Sequence, residues 1–75
     1  MARLPVLKSR EVEKVLKNLG FVEVRQRGSH KQYRHPDGRG TTVPFHAGRD
    51  ISPFLLRQIL KDIRLSPEEF SQHLR

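Results

Sequence analysis

Two turn signals constrain this chain more than anything else in it. They are Gly28-Ser29 and the run from Pro36 to Gly40, and each lies between short runs of strand character. Loops of two to five residues join antiparallel neighbours. The segments Phe21 to Arg27, His30 to His35 and Thr41 to Phe45 are therefore predicted to form a three-stranded antiparallel meander. Gly in the first turn position and Ser in the second suit a type II′ hairpin. Pro44 has no amide to give to a ladder, which puts the third strand at a sheet edge.

Helical periodicity flanks the strands. Val12, Val15, Leu16 and Leu19 fall at i, i+3, i+4 and i+7, a single apolar stripe. Ser9 is its predicted N-cap, Glu11 suits the first turn, and Gly20 supplies the stop. Ser52-Pro53 opens a second helix with Leu56, Ile59, Leu60 and Ile63 as its stripe. Ser66-Pro67-Glu68-Glu69 has capping-box spacing and starts a short terminal helix anchored by Phe70 and Leu74. The order is α-β-β-β-α plus a short helix: an α+β fold with both main helices on one sheet face. Seventy-five residues make one domain, 1–75. A chain this small hides only about 60% of its unfolded surface. It has little core to spare for a deep cavity, so an active site must be shallow and its substrate a polymer.

The turns also give a register. A two-residue loop at Gly28-Ser29 sets Arg27 opposite His30, Arg25 opposite Gln32 and Glu23 opposite Arg34. On the other face Val24 meets Tyr33 and Val22 meets His35. A five-residue loop over 36–40 sets Tyr33 opposite Val43, Lys31 opposite Phe45, His30 opposite His46 and Arg34 opposite Thr42. One face then carries Val22, Val24, Tyr33, Val43 and Phe45, a core face. The other carries Arg25, Arg27, His30, Gln32, Arg34 and His46. A slip of one residue in either turn would split the valines from Tyr33.

That second face is a surface for anions. Lysine and arginine number 15 against 8 acids, a net charge of +7. Polyanions are the natural partners, because neutralising phosphates releases counterions. A membrane-surface peptide is excluded by pattern, since no helix combines one basic face with one broad apolar face. No run approaches the roughly 20 apolar residues of a membrane span, and the N-terminal segment lacks the features of a signal peptide. The chain has no cysteine, which excludes disulfides, zinc–thiolate sites and thiol nucleophiles. These features fit a cytoplasmic protein.

A histidine on a strand is more often merely solvated. An imidazole among arginines has another use, because it exchanges protons near neutral pH. In RNA the adjacent proton belongs to the 2′-hydroxyl, and its removal makes that oxygen a nucleophile on phosphorus. Arginines would hold the phosphate and offset charge in the transition state. This chemistry needs no metal or other cofactor. His30 is the candidate acid or base. Arg25, Arg27, Ser29, Lys31, Gln32, Arg34 and His46 are the candidate RNA contacts. His46 admits three roles: a second acid–base group, a phosphate contact or a loop residue. His35, before Pro36, reads as structural, and His73 as uninvolved. A metal site does not fit. His30 and His35 point to opposite faces, and no carboxylate joins His30 and His46 in this register. Ser29-His30 makes no nucleophile pair, because adjacent residues point apart.

The segments REVEKVLKNLGF, RGSHKQYRHPDGR, TTVPFH and ISPFLLRQILKDIRLSPEEF together resemble the HicA-type toxins of bacterial toxin–antitoxin pairs. The resemblance runs from about Ser9 to Phe70. It implies a fold like the double-stranded-RNA-binding domain, matching the order read above. It also implies an mRNA interferase that arrests translation, and a HicB-type antitoxin that covers the active site. Such a toxin is expected to be a monomer when free and part of a larger complex with its antitoxin. The family's catalytic histidine follows a Gly-Ser pair, and here that position is His30. Many members carry a second histidine directly after it, where this chain has Lys31. Two readings of other classes remain: a non-catalytic RNA-binding module of the same fold, and a pure protein-interaction domain.

Overall fold

Tight turns and two amphipathic helices produce the architecture seen in a computed structural model, which describes residues 4–46 and 49–74. The elements are β1 (Leu7–Lys8), α1 (Ser9–Asn18), β2 (Val22–Arg27), β3 (His30–Arg34), β4 (Gly40–Pro44), β5 (Asp50–Ile51), α2 (Pro53–Ile63) and α3 (Pro67–Gln72). The sheet is antiparallel with order β2-β3-β4, so Pro44 does lie on an edge strand. This is the α+β arrangement expected, consistent with a double-stranded-RNA-binding-domain-like fold. Two short strands were not foreseen: β1 and β5 pair with each other, Leu7 with Ile51 and Lys8 with Asp50.

Both helices pack on one sheet face. Tyr33 and Thr41 are cross-strand partners on that face. The Tyr33 hydroxyl donates to Glu13 on α1, and the Thr41 hydroxyl donates to Asp62 on α2 at 2.9 Å. One buried cluster joins Val12, Val15 and Leu16 of α1 to Leu56, Ile59, Leu60 and Ile63 of α2, with Phe21, Tyr33, Val43 and Phe70. Burying each such side chain is worth about 1.5–3 kcal/mol, which is how so small a chain holds its sheet.

The helix ends follow ordinary rules with one exception. Leu55 N donates to Ser52 Oγ at 3.1 Å, and Ser66 and Glu69 cap each other reciprocally. After α1, Gly20 at φ 100° lets its own amide reach Lys17 O and that of Phe21 reach Leu16 O. Ser9, however, is not the N-cap. Lys8 holds that position and its amide donates to Glu11 Oε1 at 2.9 Å. Ser9 is the first helical residue and is buried, with its hydroxyl donating to the Pro44 carbonyl. It ties the start of α1 to the end of β4.

The register departs from expectation in two ways. Arg27 pairs with His30 and Arg25 with Gln32, as the first turn demands. Beyond that the pairing shifts by one at Val24, so Glu23 meets Tyr33 and Val22 meets Arg34. The bulge turns Glu23 inward, where its carboxylate lies 3.7 Å from Lys31 Nζ. Val22 and Val24 are left 59% and 55% exposed, so neither belongs to the core. Bulges on an edge strand bend it and blunt its tendency to pair with other chains.

On the other side Lys31 pairs with Val43, Tyr33 with Thr41 and His30 with Pro44, two residues from the expected pairing. The cause lies in the loop. His35 leaves the strand: its Nε2 meets Leu19 O at 3.0 Å, and its Nδ1 accepts from Asp37 N at 3.1 Å. Asp37 in turn accepts from Arg39 N at 3.0 Å and His35 N donates to Arg39 O at 2.9 Å, which leaves a three-residue loop in place of the expected five. A slip of two keeps every side chain on its predicted face.

Candidate active site

The site begins at the first hairpin. Gly28 has φ 55° and Ser29 does not have positive φ, the pattern of a type II′ turn. This turn sets Arg27 directly across from His30. The Ser29 carbonyl accepts from Phe45 N, which holds the end of β4 against the turn and brings His46 alongside. The His30 and His46 rings stand edge to face, with centroids 6.1 Å apart at 84°. His46 Nε2 lies 3.5 Å from Ser29 Oγ, the outer limit of a hydrogen bond. Both imidazoles are exposed to solvent. The expected meeting of His30 with His46 therefore occurs through the side chains, although the backbone partner of His30 is Pro44.

Behind the histidines lies a cleft of about 310 Å³, lined in part by Ser9, His30, Pro44, His46, Arg49 and Asp50. The β1–β5 ladder builds its far wall. Pairing Lys8 with Asp50 fixes the segment after His46, and Lys8 Nζ lies 3.3 Å from Asp50 Oδ1. Ser52, the N-cap of α2, lies on the same wall. Arg49, Asp50 and Ser9 are thus cleft residues that the sequence reading missed. The strands that place them, β1 and β5, are two residues each and leave no period in the sequence.

The remaining candidates divide by face. Arg25 and Arg27 are exposed on β2, and Gln32 and Arg34 are exposed on β3, the strand that carries His30. Lys31 points the other way. Its ammonium lies 3.5 Å from Glu13 and 3.7 Å from Glu23, and 4.2 Å from the centroid of the Phe45 ring. Lys31 shares the helix-covered face with Tyr33 and does not join the exposed arginines. Burial works against ionising Glu13, but the Tyr33 hydrogen bond and the charges of Lys31 and Lys17 hold its carboxyl below the ordinary value. Burial, and then the hydrogen bond to Glu13, push the Tyr33 hydroxyl well above its usual range. His35 packs edge-on against Phe21 at 5.0 Å, the structural role expected of it.

The model of the HicA toxin of bacterial toxin–antitoxin systems matches residues 9–65. The chain belongs to the HicA toxin family. The match runs from the start of α1 to just past α2, and it takes in His30, His46 and the cleft. The protein is accordingly a toxin of a toxin–antitoxin system, and the family implies an antitoxin as its partner. Among curated proteins no sequence matches the chain. No helix among the described residues is long and apolar enough to cross a membrane.

Proposed function

We propose that this HicA-family toxin is an endoribonuclease that cuts mRNA and arrests translation by proton transfer, with His30 as a catalytic acid or base. The observation that carries the reading is the pair His30 and His46, edge to face at 6.1 Å on the rim of a cleft that also holds Arg49. One imidazole takes the proton of the RNA 2′-hydroxyl. The 2′-oxygen then bonds to the adjacent phosphorus as the bond to the 5′-oxygen breaks. The second ring, as imidazolium, gives that leaving oxygen its proton. The products are a 2′,3′-cyclic phosphate and a 5′-hydroxyl. Each positioned proton transfer is worth about 10²–10⁴-fold in rate.

Arg27, opposite His30, holds the scissile phosphate and offsets charge in the transition state. Arg25 and Arg34 bind the flanking backbone, with Ser29 and Gln32 as polar contacts. Lys31, committed to Glu13 and Glu23, is left out of this role. A HicB-type antitoxin neutralises the toxin by covering the same basic face with an acidic one, in competition with RNA. The toxin acts as a monomer when free and is held in a larger complex when neutralised.

The test is an RNA of fixed sequence carrying 2′-deoxyribose at the mapped cut. Loss of cleavage at that position alone, with cyclic phosphate on the products of the all-ribose control, supports the mechanism. Cutting at the deoxy position contradicts it.

A further inference from the structure

A second hollow adjoins the histidine cleft. It is a groove of about 480 Å³ between β3–β4 and α2, lined in part by Gln32, Arg34, Thr42, Leu55, Gln58 and Asp62. Leu55 is common to the groove and the cleft. Gln32 lies two residues beyond His30 on the same strand face, about 7 Å along it. A strand with one phosphate at His30 therefore carries a neighbouring nucleotide into the groove.

The lining differs in kind from that of the cleft. Asp62 is already engaged by the Thr41 hydroxyl at 2.9 Å. The side chains of Gln32, Thr42 and Gln58 make no hydrogen bond among the described residues. These are neutral groups, and each side-chain amide offers both a donor and an acceptor. Among the described residues Arg34 is the only cation in this lining, and the Asp62 carboxylate opposes a phosphate. Leu55 offers an apolar surface. A nucleobase has apolar faces and a donor–acceptor edge, and it fits this lining where a phosphate does not.

We propose that the groove takes one nucleobase of the bound RNA and that Gln58, with Gln32 and Thr42, reads its edge and so sets a base preference beside the cut. The proposal rests on the RNA-cleaving reading above. Gln58 is exposed on α2, and alanine suits a helix, so Gln58→Ala keeps the fold.

Binding is measured with the His30→Ala protein, so that nothing is cut. The probes are abasic ribose-phosphate hexamers that carry a single A, C, G or U. One base is expected to bind about tenfold tighter than the others. That preference disappears in His30→Ala/Gln58→Ala, whereas His30→Ala/Arg27→Ala weakens all four probes alike. Equal binding of the four bases, or a preference that survives Gln58→Ala, overturns the proposal and leaves the RNA reading standing. Failure of every hexamer to bind overturns both.

Discussion

His30 and His46 lie sixteen residues apart in the chain and meet at one place because the Gly28-Ser29 turn is clamped by Phe45 N. His30→Ala is expected to lower cleavage by about 10²–10⁴-fold, and His46→Ala by a comparable factor if it supplies the second proton. A base and an acid working together give a bell-shaped pH dependence, and His46→Ala is expected to remove one of its limbs. Initial rates across pH for both variants check this. Beneath the sheet a second residue-scale feature governs stability. Glu13 has a lowered pKa in the fold, so it stabilises above the unfolded carboxyl value of about 4.3, and this is lost as pH falls through the folded value. Tyr33 has a raised pKa, so its contribution is complete below about pH 10 and is lost as pH rises further. Chemical denaturation across pH should show a plateau between these limits, and Glu13→Gln should flatten its acid limb.

At the scale of elements, much of the fold was legible and some was not. The stripes Val12-Val15-Leu16 and Leu56-Ile59-Leu60-Ile63 gave both helices, and Ser52 and Ser66 gave two of the starts. Gly28-Ser29 gave the first hairpin and the facing of His30 by Arg27. The bulge at Val24 was illegible, because alternation of Val22, Glu23 and Val24 looks the same in either register. What decides it is the inward pull of Glu23 toward Lys31, a contact between strands. A Val24→Thr change is therefore expected to move stability by no more than about 0.5 kcal/mol, as at an exposed position. A melt showing a core-sized loss would contradict the bulge. The β1–β5 ladder is too short to carry any period, so the far wall of the cleft was out of reach. At the end of α2, Arg64 sits at φ 57°, where glycine is ordinarily found. Arg64→Gly should raise stability by roughly 0.5–1 kcal/mol, read as a shift in denaturation midpoint. Arg39 does the opposite service there. Its Nη1 donates to Ile63 O at 2.6 Å, satisfying a carbonyl at the helix end.

At the scale of the molecule, charge and shape meet on one face. The helices take the side of the sheet that holds Tyr33, Thr41 and Val43, and this leaves the histidines and arginines open to solvent. With a net charge of +7, the proposed RNA affinity is expected to fall steeply with salt. Arg27→Ala should reduce the slope of log affinity against log salt by about one unit, as expected for one lost phosphate contact. A pure protein-interaction domain would show no such slope. The same open face suits an acidic antitoxin, so bound antitoxin and bound RNA should exclude each other. The central claim is that proton transfer through His30 cuts RNA. It is tested by incubating a structured mRNA with the purified protein in EDTA, beside a His30→Ala protein shown to be folded. The account predicts cutting by the wild type and none by the variant. Equal RNA binding by both proteins with cutting by neither would contradict it, and would leave a binding module in its place.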